Sequence, residues 1–91
     1  MNKTVLTRHP HTETIPSGER VVIYQSQTQN SIVLNPTGSW LWNQLETPRT
    51  LDWLVESLGQ EHPEVSLETL ENDLQAYVGE MLHNELLVQQ N

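Results

Sequence analysis

Cysteine is absent from the 91 residues, which excludes disulfides, thiol nucleophiles and cysteine-ligated zinc and suits a cytoplasmic location. Phenylalanine is absent too, so three Trp, two Tyr and the branched aliphatic residues must build the core. Positive charge is scarce: Lys3, Arg8, Arg20 and Arg49 are scattered against 12 acidic residues, for a formal net charge of −8. DNA presents about one phosphate charge per 1.7 Å of axis and is met by clustered Lys and Arg, so no nucleic-acid partner is expected. No apolar run reaches the length of a signal peptide or membrane span, and no membrane partner is expected either. The acidic excess reads as a device for solubility, or as attraction to a basic peptide or protein surface.

What is present is organised around the stretch from Ser31 to Leu58. Ile32, Val33 and Leu34 form a β-branched, apolar run suited to a strand, and Asn35 followed by Pro36 stops it and starts a helix. Asn35 offers a side-chain acceptor to the first-turn amides, and Pro36 has a preset helical φ where no donor is needed. That helix spans about Pro36 to Leu45 and ends before Pro48. Thr50 caps a second helix with Asp52 in its first turn, and Leu51, Leu54, Val55 and Leu58 make one apolar stripe. Ser66 caps a third, longest helix carrying Leu67, Leu70, Leu74, Val78, Met81 and Leu82. Leu86, Leu87 and Val88 either extend it or return as a strand.

Upstream, Thr12 to Ile15 is compatible with a strand, Pro16 to Gly18 with a turn, and Arg20 to Gln25 with a clearer strand. The polar run Ser26 to Asn30 reads as a hairpin loop leading to the strand Ser31 to Leu34. Residues 1–11 are polar and are expected to be a loose tail, leaving residues 12–91 as a single domain. Three antiparallel strands followed by three helices define an α+β domain. A chain of this length buries only roughly 60% of its unfolded surface, so its stability should be modest.

Chemistry-bearing clusters are weak. His9 and His11 sit two apart in the tail, His62 lies in a loop, and His83 sits at a helix end that favours positive charge. Glu68, Glu71, Asp73 and Glu80 read as a solvated helix face. No GxSxG or HExxH signature occurs. Neither an enzyme, a cofactor nor a bound metal is expected. The strand Ser31 to Leu34 is more suggestive, because it has no Lys, Pro or Gly to blunt an exposed edge. Such an edge is either covered by a loop or the N-terminal tail, or used to accept an extended peptide as an extra antiparallel strand.

The run Val33 to Gly38 (VLNPTG), Trp42, the Thr50-Leu51-Asp52 helix start, and Asp73, Leu74, Val78 and Leu82 ahead of Leu86-Leu87-Val88 together resemble the PqqD-like family. These proteins are also called RiPP recognition elements, after the ribosomally made, post-translationally modified peptides whose synthesis they serve. The resemblance covers roughly Thr12 to Val88. It implies a winged helix-turn-helix-like fold that grips the leader of a precursor peptide and delivers it, without catalysis, to a modifying enzyme or leader peptidase. In the family the leader adds to the third strand and lies against the third helix. On this chain that points to Ser31, Ile32, Val33 and Leu34, and to the helix after Ser66.

On that helix Asp73 and Tyr77 lie four apart beside the core stripe. With the edges of Leu70 and Leu74 they are expected to line the peptide site, although Tyr77 reads equally well as an aromatic at the core edge. One departure from the family pattern is Glu85, where Gly is usual before the final apolar pair; Asn84 beside it tolerates left-handed geometry. The Leu-Asn-Pro-Thr-Gly run is similar to stand-alone proteins of lasso-peptide clusters, whose partner is a leader peptidase. The alternative is the pyrroloquinoline quinone pathway, where the partner is a radical S-adenosylmethionine enzyme. A winged-helix DNA-binding regulator and a subunit that docks an enzyme without touching a peptide are more distant readings. Both a monomer and an edge-paired dimer are compatible with the sequence.

Overall fold

A computed structural model describes residues 4–18 and 20–90. Its three helices begin where the capping residues place them. The helix α1 (Pro36–Gln44) starts with the Asn35 side chain accepting the Gly38 N–H at 2.8 Å. In α2 (Leu51–Glu61) the Thr50 hydroxyl accepts from the Trp53 N–H at 3.1 Å, and in α3 (Leu67–His83) Ser66 accepts from Thr69 at 3.2 Å. Each cap satisfies one of the amides that a first helical turn leaves without a partner.

The strands are more numerous than the three expected. The chain runs β1 (Val5–Arg8), β2 (Thr12–Ser17), β3 (Arg20–Gln25) and β4 (Asn30–Val33) before α1, then β5 (Arg49–Thr50) between α1 and α2, and β6 (Leu87–Gln90) after α3. They form two antiparallel three-stranded sheets, ordered β5-β1-β6 and β2-β3-β4. The α+β class stands, with most strands ahead of the helices. The last apolar run returns as a strand and does not extend α3.

The loose tail expected over residues 1–11 is not what residues 5–8 form. Val5 pairs with both Thr50 and Gln90, and Arg8 with Leu87, so β1 is the central strand of its sheet. Leu6 is buried in the core, and Arg8 donates to the Trp42 carbonyl at 3.2 and 2.7 Å through Nε and Nη2 while its guanidinium lies 4.6 Å over the Trp42 ring. Burial lowers the Arg8 pKa, and nearby Glu46 opposes that shift. The part of that expectation concerning residues 1–3 lies outside the described residues.

Trp42 ties the two sheets together. It is fully buried, its indole Nε1 donates to Thr14 Oγ1 at 2.8 Å from β2, and its carbonyl receives Arg8 from β1. Around it, Leu41, Leu45, Leu54, Leu74 and Leu86 close one core between the helices and the inner faces of both sheets. The link from α3 to β6 turns at Glu85, which adopts φ 59°. The left-handed residue is therefore Glu85 itself, whereas Asn84 keeps φ −87°. Buried Gln25 fixes this turn, donating from Nε2 to the Glu85 carbonyl at 2.8 Å.

Candidate functional site

β4 is an edge strand, and its register states which backbone groups are free. The Leu34 N–H donates to the Val21 carbonyl at 2.9 Å, and Ile32 lies opposite Ile23 and Asn30 opposite Gln25. In an antiparallel ladder the residues that bond across a given pair alternate along the strand. Asn30, Ile32 and Leu34 therefore turn their N–H and C=O toward β3, and Ser31 and Val33 turn theirs outward. The other edge of the same sheet, β2, carries Pro16 opposite Val21. By the same alternation Pro16 lies at an outward position, where it removes a donor and blunts that edge.

The buried Ser39 marks where the ladder ends. Its Oγ accepts the Val21 N–H at 3.2 Å and donates to the Leu34 carbonyl at 3.4 Å. The hydroxyl thus inserts between two backbone groups that would otherwise pair, and the chain leaves β4 for α1 at that point.

Beside the free edge runs a groove of about 460 Å³, lined by Ile32, Val33, Leu34 and Asn35 on one side and Tyr77, Glu80, Met81, Asn84 and Leu86 on the other. Two hydrogen bonds fix its walls. Asn35 Nδ2 donates to the Tyr77 hydroxyl at one end, so the residue that caps α1 also bridges to α3. At the other end Gln25, opposite Asn30, holds the Glu85 carbonyl. α3 therefore runs antiparallel to β4 across the groove, with Tyr77 level with the end of β4 and Asn84 level with its start.

The expected site residues separate in the fold. Ile32, Val33, Leu34 and Tyr77 lie together in the groove. Ser31 is exposed on the strand edge and contributes backbone groups. Leu70 and Leu74 are buried in the core among the helices, and Asp73 is exposed but outside the lining. Asn35, Glu80, Met81, Asn84 and Leu86 join the groove without having been singled out for it. From Tyr77 the wall continues at i+3, i+4 and i+7, toward the C-terminus of α3. The expectation extended it from Tyr77 toward the N-terminus, to Asp73. Helical periodicity was the signal available, and it is symmetric about Tyr77.

The groove is apolar in its floor and acidic at its rim. Val33 is 59% exposed, a large share for an apolar strand residue. Glu80 is solvent-exposed, and its carboxylate has no ion-pair partner among the described residues. Among the described residues no cationic side chain lines the groove. Among the described residues no group of three or more His, Asp or Glu side chains is placed to hold a metal ion. The His9 and His11 rings lie 5.5 Å apart, and His9 Nδ1 accepts the His11 N–H at 3.1 Å. No helix among the described residues is long and apolar enough to cross a membrane.

Comparison with known proteins agrees with this geometry. No curated protein sequence matches the chain significantly. Among solved structures it is similar to TbiB1 in complex with the TbiA(beta) leader peptide, with a TM-score of 0.83 and 25% sequence identity over 89% of this chain and 93% of that one. The profile of the family described as Coenzyme PQQ synthesis protein D (PqqD) matches residues 20–87, from the start of β3 to the start of β6. With the strand, the helix and the groove between them all inside that span, the chain belongs to the PqqD family.

Proposed function

We propose that this protein is a non-catalytic leader-peptide recognition element. It binds the leader of a ribosomally made precursor as a fourth strand on β4 and presents it to a processing enzyme. The observation that carries this reading is the unpaired edge of β4, with Ser31 and Val33 facing outward beside an apolar groove. Backbone groups on a free edge supply sequence-independent affinity, and an adjoining groove supplies selection. Membership of the PqqD family and the likeness to TbiB1, which was solved with a leader peptide, support the same reading.

The Leu-Asn-Pro-Thr-Gly run favours a leader peptidase of a lasso-peptide pathway as the processing partner. The family description, coenzyme PQQ synthesis, favours instead a role in making that cofactor. Co-purification with each candidate enzyme, encoded by neighbouring genes, separates the two.

The test of the binding mode is titration of the isotopically labelled protein with the leader of the precursor encoded beside its gene. Amide shifts are expected for Ser31 and Val33 and for residues 77–84, the last turns of α3 and its C-cap. Shifts confined to β1 and β6, or none at saturation, sink the proposal. Val33→Pro removes one outward donor and no ladder bond. It is expected to weaken binding roughly 3- to 10-fold, the value of one net hydrogen bond, while the thermal midpoint changes little.

A further inference from the structure

We infer that the groove selects an extended peptide with an apolar residue followed two positions later by a lysine or arginine, whose charge is met by Glu80. This rests on the strand-addition reading above and specifies the ligand for that same site. The sheet β2-β3-β4 is antiparallel throughout, and an antiparallel partner on β4 would run from the Leu34 end to the Asn30 end. Because α3 is itself antiparallel to β4, the peptide travels alongside α3 from Tyr77 toward Asn84.

Side-chain alternation then fixes what faces the groove. Residues directly opposite across a ladder share one face of the sheet. Peptide residues opposite Leu34, Ile32 and Asn30 therefore point to the core side, toward α3, and those opposite Val33 and Ser31 point away. Spacing sets the levels. Two strand residues advance about 6.8 Å, and from Tyr77 the helix advances about 4.5 Å to Glu80 and about 6 Å to Met81. A residue opposite Leu34 lies beside Tyr77, and the next groove-facing residue, opposite Ile32, lies beside Glu80 and Met81.

Chemistry assigns the two positions. The first meets the Tyr77 ring and Leu34, an apolar setting. The second meets buried Met81 below and, at the rim, the exposed Glu80 carboxylate, which has no ion-pair partner among the described residues. A side chain with an aliphatic stem and a cationic head fits that pair of surroundings, the stem over Met81 and the head on Glu80. The rest of the molecule adds to the preference. Its formal net charge is −8, and of its cations Arg8 and Arg49 already lie 4.6 and 4.0 Å over the rings of Trp42 and Trp53.

A display library of random twelve-residue peptides, panned on the full chain and on Glu80→Gln and Glu80→Lys variants of confirmed native melting, tests this. Wild-type binders should be enriched in Lys or Arg two positions after an apolar residue. The enrichment should disappear with Glu80→Gln and turn to Asp or Glu with Glu80→Lys. For one selected peptide, neutralising its basic residue should weaken binding to the wild type roughly 2- to 5-fold, as exposed pairs do, and leave binding to Glu80→Gln unchanged. An enrichment that survives Glu80→Gln, or wild-type binders without one, overturns the inference while leaving strand addition intact. Binders that shift no β4 amides, or a library that yields none, overturn strand addition and the inference with it.

Discussion

At the scale of single residues, Glu85 and Ser39 occupy backbone positions that the surrounding elements require. Glu85 sits at φ 59°, a region that costs a residue with a Cβ roughly 1–2 kcal/mol. Its contribution to the fold is its carbonyl, which receives Gln25, and any residue supplies a carbonyl. Glu85→Gly is therefore expected to raise stability by about 1 kcal/mol, read as a higher urea midpoint with an unchanged slope. Ser39 works in the opposite sense. Its hydroxyl serves both the Val21 N–H and the Leu34 carbonyl in a buried setting, so Ser39→Ala leaves an unsatisfied buried donor. A loss of roughly 1–3 kcal/mol is expected in the same denaturation measurement. Neither role is visible in the chain as written: Ser39 reads as an ordinary small helix residue, and Glu85 only as the place of an expected glycine.

At the scale of elements, the helices were legible and the sheet β5-β1-β6 was not, apart from its terminal apolar run, which reads either as more helix or as a strand. Asn35, Thr50 and Ser66 are local signals, each acting on an amide three residues away, so a short window of sequence contains everything they need. β1 is different. Val5 pairs with residues 50 and 90, and none of that information lies near Val5 in the chain. The strand exists because its partners do, and its four residues, VLTR, carry no pattern that identifies it alone. A concrete consequence follows for what looked like a tail: Leu6→Ala should cost roughly 2–5 kcal/mol, as for other buried leucines, measured by chemical denaturation. A change within a few tenths of a kcal/mol would mean that β1 is dispensable. The candidate site divides in the same way. Its strand half follows from the apolar run before Asn35, whereas its helical half depends on which end of α3 crosses β4. That is decided by the Asn35 to Tyr77 and Gln25 to Glu85 contacts, which join residues 42 and 60 positions apart.

At the scale of the whole molecule, charge and shape act together. A body with net charge −8 attracts a cationic segment before contact, and such attraction acts mainly on the association rate and fades with salt. For a basic peptide selected on this chain, raising salt from about 50 mM to 500 mM should slow association several-fold and leave dissociation much less affected, since the Debye length shrinks to a few ångströms. Stopped-flow mixing at the two salt concentrations measures both rates, and an unaltered association rate would show that long-range attraction has no part in capture.

The shortness of β4 carries a further consequence. With Ser31 and Val33 alone facing outward, an added strand gains at most about four backbone hydrogen bonds, worth roughly 2–6 kcal/mol net. Association of two bodies forfeits about 4–15 kcal/mol in lost freedom. Backbone pairing by itself therefore falls short of retention, and an arbitrary extended chain that meets this edge departs again. On the proposed reading, only an extended segment whose side chains also fill the groove is retained. The truncated edge thus acts as a filter on dwell time, protecting the protein from becoming a seed for indiscriminate aggregation.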